Sequence, residues 1–135
     1  MPAFNRVNTL GEALAEKVHN FASDSLRIAL TNVTPLVTNS VLTDITEIAY
    51  TNMSSRVLTV ASSSQTAGVY KLVINDLTLT STGGATGPFR FVVIFNDTAA
   101  NKELIGFSDY GSALTINDGE SLIVDFDAAN GLLTI

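Results

Sequence analysis

His19 is the chain's one histidine. Any scheme that uses imidazole to move a proton or activate a nucleophile must run through it. It stands beside Asn20 at the end of an expected helix, with no GxSxG or comparable partner motif. The preferred reading is a helix-terminal ring interacting with the last carbonyls. Asp125 and Asp127 form a D-x-D pair, which on a strand puts two carboxylates on one face. Such a pair can ligate a hard cation such as Ca²⁺ or serve as the acid and base of a glycosidase. The second chemistry wants aromatic walls, and the chain has no Trp and 3 Tyr. With no EF-hand spacing around it, the pair reads as a solvated face running into an Asn130-Gly131 turn. Asp125 and Asp127 are thus the residual metal candidates in a chain for which no metal or other cofactor is expected.

The remaining chemical candidates reduce to structure. Asp97, Asp118 and Glu120 fall in expected turns, where short acids bond their own backbone, with a loop Ca²⁺ site as the alternative. Gly83, Gly84 and Gly87 lack the lysine and following helix of a phosphate-binding loop. Phe89, Phe91 and Phe95 share one strand face, and only Arg90 is near them, so they read as core rather than as a base-stacking platform. No set of residues supplies a nucleophile, a base and an oxyanion hole together, so an enzyme is not expected.

The elements that carry these residues are mostly strands. Thr9 and Glu12 fit a capping box, and Ala13, Leu14 and Val18 recur at helical spacing, so a short helix is expected over 9–20. From Leu26 the period changes to two. Strands are expected at 26–31, 57–63, 69–80 with a bulge at Asn75-Asp76, 89–96, 104–110 ended by Gly111, 113–116, 121–126 and 132–135. Residues 33–40, with Pro35, read as a loop, and 42–49 as one helical turn or an extended segment. Asn117-Asp118-Gly119 is the clearest hairpin turn. The pattern predicts a mainly β fold, an antiparallel β-sandwich or small barrel of seven to nine strands with a short N-terminal helix. An arm and helix over 1–24 would precede a single β domain over 25–135.

Composition narrows the function classes. The chain has 135 residues and net charge −6, only 15% of its residues are charged, and Cys is absent. Its few basic residues are widely spaced, which does not suit a phosphate-tracking stripe, so neither nucleic acid nor an anionic membrane is an expected partner. The first twenty residues lack the apolar stretch of a secretion signal, and the longest apolar run, 91–95, is too short to span a bilayer. A surface rich in Ser, Thr and Asn but poor in charge suits a tight protein–protein contact.

Three stretches, SDSLRIALTNVTP (23–35), GPFRFVVIFNDTAANKELIGFSDYGS (87–112) and LTINDGESLIVDFD (114–127), give the chain a resemblance to small virion proteins of tailed bacteriophages. Within that class it most resembles capsid decoration, or cement, proteins. The resemblance implies a non-enzymatic protein on the capsid exterior, assembled in the host cytoplasm, that binds the major capsid protein and copies of itself as a trimer or dimer. The shell would be stabilised against packaged-DNA pressure by many modest contacts acting together. A lone helix outside a β core must bury its apolar stripe somewhere. Phe4, Leu10, Leu14 and Val18 are therefore the expected contacts to the shell or to a neighbouring protomer, and deleting 1–20 should leave the β domain folded. The alternatives are a tail, neck or fibre β-domain, whose DNA channel the net negative charge would suit, and a Ca²⁺- or carbohydrate-binding sandwich using Asp125 and Asp127.

Overall fold

The computed structural model describes residues 2–135. Along the chain run β1 (Phe4–Arg6), α1 (Leu10–Ala15), β2 (Leu26–Thr31), a 3₁₀ turn (Leu42–Asp44), β3 (Val60–Thr66), β4 (Val69–Ile74), β5 (Leu77–Thr80), β6 (Thr86–Asn96), β7 (Leu104–Ile116), β8 (Ser121–Val124) and β9 (Leu133–Thr134). The strands pair antiparallel in three open sheets, ordered β1-β7-β6-β2, β3-β4-β9 and β5-β8. The fold is mainly β and sandwich-like, with no closed barrel among the described residues.

All three sheets feed one core. Leu26, Ile28, Leu30, Val92 and Ile94 from the large sheet join Leu72 and Ile74 of β4, Leu79 of β5 and Val124 of β8 in a single buried cluster. Central strand β6 is buried from Phe89 to Asn96 apart from the half-buried Arg90, because neighbours cover both of its faces. The outer side of β2 is closed by the following loop. Ile28 N–H bonds Arg56 O at 3.1 Å, Leu58 N–H bonds Leu26 O at 2.8 Å, and Ile48 N–H bonds Leu30 O at 3.0 Å. Arg56 lies over the Tyr50 ring at 3.7 Å and donates to Ile28 O at 2.7 Å. Tyr50 receives Leu30 N–H at 2.9 Å, and burial holds its phenol well above the usual value.

Four local expectations are corrected. The helix ends at Ala15 rather than near 20. Lys17, at φ 64°, takes the left-handed position after it. Lys17 N–H bonds Leu14 O at 3.3 Å and Val18 N–H bonds Ala13 O at 2.8 Å. That is a Schellman stop built without glycine. The expected capping box is not made, since Thr9 has helical backbone angles and its side chain caps nothing. Asn75-Asp76 is the point where the chain leaves the β3-β4-β9 sheet for β5-β8, not a bulge within one strand. Gly111 does not end a strand. β7 continues through it at φ 88°, and its pairing with β6 skips from Asp109 to Leu114, so residues 110–113 bulge out.

The expected division at residue 24 does not match the packing. β1 pairs in register with β7, Phe4 opposite Ser108 and Arg6 opposite Gly106. Val7, Leu10 and Phe21 belong to the common core. Arg6 also reaches the Thr134 carbonyl, tying the first strand to the last. Deleting 1–20 therefore strips core residues and an edge strand, and the β domain is not expected to survive it intact.

Candidate functional site

A buried polar cluster is built on Asn96, which closes the apolar run 91–95 at the end of β6 and is fully buried. Its Oδ1 accepts the backbone N–H groups of Thr98 at 3.0 Å and Ala99 at 3.2 Å. Two backbone donors settle which end of the amide is oxygen. Its Nδ2 therefore donates, to His19 Nδ1 at 3.0 Å and to Asp24 Oδ2 at 2.7 Å. All four hydrogen-bonding positions of the amide are used. Because Nδ1 accepts, the His19 ring is neutral with its proton on Nε2.

His19 is 5% exposed and stacks on Phe21, with ring centroids 5.3 Å apart. Burial lowers its pKa from the usual histidine value, and the Glu103 and Asp24 carboxylates oppose that only in part. Among the described residues, its Nε2 and the Glu103 Oε2 are buried without hydrogen-bond partners. The ring is thus not the surface cap over helix carbonyls that its position suggests. It is a core residue pinned by an amide 77 positions away.

The expected interface residues are scattered. Leu10 is 3% exposed and belongs to the common core, at the floor of a cleft it shares with Leu14. Phe4 is half-buried against the core and lies where a side chain on Gly106 would have to go. Leu14 is half-buried on the shared wall of two shallow clefts of about 400 and 590 Å³, which also share Ile135. Val18 is half-buried in a third cleft of about 250 Å³, beside Glu12, Glu16 and Glu103. The apolar stripe is spent mainly on the molecule's own core. The premise that the helix lies outside that core does not hold.

Asp125 and Asp127 are exposed on either side of buried Phe126, beyond the end of β8. Asp127 is committed to the closing turn. Its Oδ1 accepts Ala129 and Asn130 N–H, both at 2.9 Å, and its Oδ2 accepts Asn130 Nδ2 at 2.8 Å. The Asn130 bonds, with a smaller share from Ala129, hold its carboxyl below the usual range. Asp44 does the same for the 3₁₀ turn, accepting Ser40 N–H at 2.9 Å and Val41 N–H at 3.2 Å. No group of three or more His, Asp or Glu side chains is gathered as for a metal among the described residues. Asp118 accepts Gly83 N–H at 2.9 Å, and Asp97 pairs with Arg27 at 3.3 Å and Lys102 at 3.1 Å. Arg90 grips Asp109 with two bonds of 2.8 and 3.0 Å, and Asp109 Oδ1 also takes Gly111 N–H at 2.7 Å, fixing the bulge.

The sequence reading missed the surface that stands out most in the fold. The loop after β2 exposes Val33 (57%), Leu36 (57%) and Val37 (43%) around buried Pro35. No charged residue lies between Arg27 and Asp44. That run of uncharged residues was the available signal. No family model, curated protein or solved structure matches this chain.

Proposed function

We propose that the chain is a non-enzymatic structural protein of a virion, a decoration protein that binds the outer face of a major capsid protein lattice. The observation that carries this reading is the charge-free loop with three apolar side chains held out within five residues. Charge depletion around exposed apolar groups is the composition of an interface core. Two of the titratable groups singled out in the sequence are engaged in holding the fold, which fits a structural role: His19 bonds Asn96, and Asp127 closes a turn. The sequence resemblance to phage virion proteins supplies the partner. On this reading the shell contact is the 33–37 loop, and Leu10 has no part in it. Copies of the chain assemble on the particle surface, and each adds a small contact that counts by multiplicity.

The test is cryo-electron microscopy of particles carrying the chain, paired with add-back of Leu36→Asp protein to undecorated shells. Density over the outer shell with loop 33–37 at the contact, and loss of binding by the variant, is expected. Density confined to the tail or neck, or full binding by Leu36→Asp, overturns the reading.

A further inference from the structure

Strand β3 has seven residues and one unpaired side. Val69 and Thr66 flank a two-residue turn at Ala67-Gly68, both at positive φ (51° and 83°). In such a hairpin the closing pair exchanges both backbone bonds, and bonded pairs recur at every second position. Ser64↔Lys71 and Ser62↔Val73 are then bonded pairs, and Gln65↔Tyr70 and Ser63↔Leu72 are not. The far side of β4 agrees. Tyr70 exchanges bonds with Ile135, both at 2.9 Å, and Leu132 N–H reaches Leu72 O at 2.7 Å, so Tyr70 and Leu72 face β9. The amides and carbonyls of Ser63 and Gln65 therefore point outward from the sheet. Among the described residues nothing bonds to them.

Other edges are closed or short. The loop 48–58 takes β2's outer side, β1 and β9 have three and two residues, β5 and β8 have four each, and the outer half of β7 is broken by its bulge. The β3 edge also lacks the usual protection. A shift in pairing at Ala61 disturbs only its start, and 62–66 contains no Lys, no Pro and no charge. The neutral run extends from Val57 to Tyr70 in a chain of net charge −6.

We propose that this edge pairs with the same edge of a second copy, antiparallel across a two-fold axis at Ser64. The pairing is self-complementary: Ser63 meets the partner's Gln65, the partner's Ser63 meets Gln65, and each meeting exchanges two backbone bonds. Ser64 then faces its own copy, with the Ser62 and Ser64 hydroxyls, 3.1 Å apart within one strand, continuing as a ladder across the axis. A copy of the chain is the favoured occupant because the edge offers no charge for a differently charged partner to read. The net negative charge of two copies is excluded from the contact itself. Five residues a side make a small interface, so a weak association seen only at high protein concentration is expected. The inference concerns the chain alone and stands apart from the virion reading.

The experiment is sedimentation equilibrium of the full chain up to about 1 mM. The wild type is expected to show a monomer–dimer equilibrium. Ser63→Pro removes an outward amide that β4 does not use, and should weaken the dimer at least about tenfold by losing two bonds per dimer. Ser64 is exposed opposite Lys71, and its side-chain hydrogen bond is to the Ser62 hydroxyl. Ser64→Lys should weaken the dimer by like-charge apposition even if the proline variant folds poorly. An equimolar mixture of Ser64→Lys and Ser64→Glu should restore dimers as a mixed species. A monomer at all concentrations, an oligomer indifferent to Ser64→Lys, or a mixture that stays monomeric overturns the proposal.

Discussion

Replacing Asn96 by alanine should be one of the costliest single changes in this molecule. The substitution leaves four partners without their amide: the N–H groups of Thr98 and Ala99, His19 Nδ1 and Asp24 Oδ2. Thr98 is exposed and Asp24 half-buried, so both can turn to water. Ala99 and His19 are 9% and 5% exposed and cannot. Two buried orphans cost about 1–3 kcal/mol each. With a small cavity added, the loss comes to about 3–5 kcal/mol, a large share of the roughly 5–15 kcal/mol that holds a domain together. With no Trp in the chain, urea unfolding followed by circular dichroism is the assay. The midpoint should fall by about 2 M or more for a slope near 1.5 kcal/mol/M. A His19→Phe/Asn96→Ala double variant should lose about 1 kcal/mol less than the sum of the singles, because one orphan disappears with the ring. An Asn96→Ala loss under about 1 kcal/mol, or strict additivity, would refute the account of Asn96 as the buried keystone.

Three further outcomes follow from the same geometry. His19 has a folded pKa below its unfolded value near 6.5, so stability is full above that pH and is lost as pH falls through it, by at most about 1.4 kcal/mol per unit. Unfolding curves between pH 7.5 and 5 should show this slope in the wild type, and a slope that persists in His19→Phe assigns it elsewhere. Lys17→Gly should stabilise the fold by about 0.5–1 kcal/mol, since glycine takes the left-handed stop without side-chain strain; a thermal midpoint that drops would contradict the Schellman assignment. Gly106→Ala places a methyl group against the Asn5 carbonyl and the Phe4 ring, and should cost about 1–3 kcal/mol and loosen β1. Amide exchange at residues 4–6 that is no faster than in the wild type would show that the strand tolerates it.

Much of the fold was legible because its signals are local. The alternation from Leu26 to Thr31 and the apolar run 89–96 became strands close to where they were read, whereas Asp118-Gly119 makes a turn but not the expected hairpin, because β7 and β8 on either side of it belong to different sheets. The failures were of two kinds. Lys17 stops the helix in a conformation that residue type argues against, because the backbone bonds to Ala13 and Leu14 outweigh the strain. Gly111 and Asn75-Asp76 were read correctly as interruptions but with the wrong consequence. Whether a break ends a strand, bulges it or sends it to another sheet depends on what pairs with the chain on either side.

The sequence by itself determined that this is a charge-poor, antiparallel β protein with one short helix, since periodicity and turn chemistry act over a few residues. Only the tertiary structure decided where the helix stripe goes, what His19 does and which edges stay open. Leu10 was read as outward-facing because its apolar spacing shows that it must be buried but not against what. His19 and Asn96 are 77 positions apart, and their bond exists only because the turn after the helix and the end of β6 are packed together. The open edge of β3 is likewise a property of absent neighbours. A strand's own residues carry one amide and one carbonyl each whether or not another strand comes to meet them.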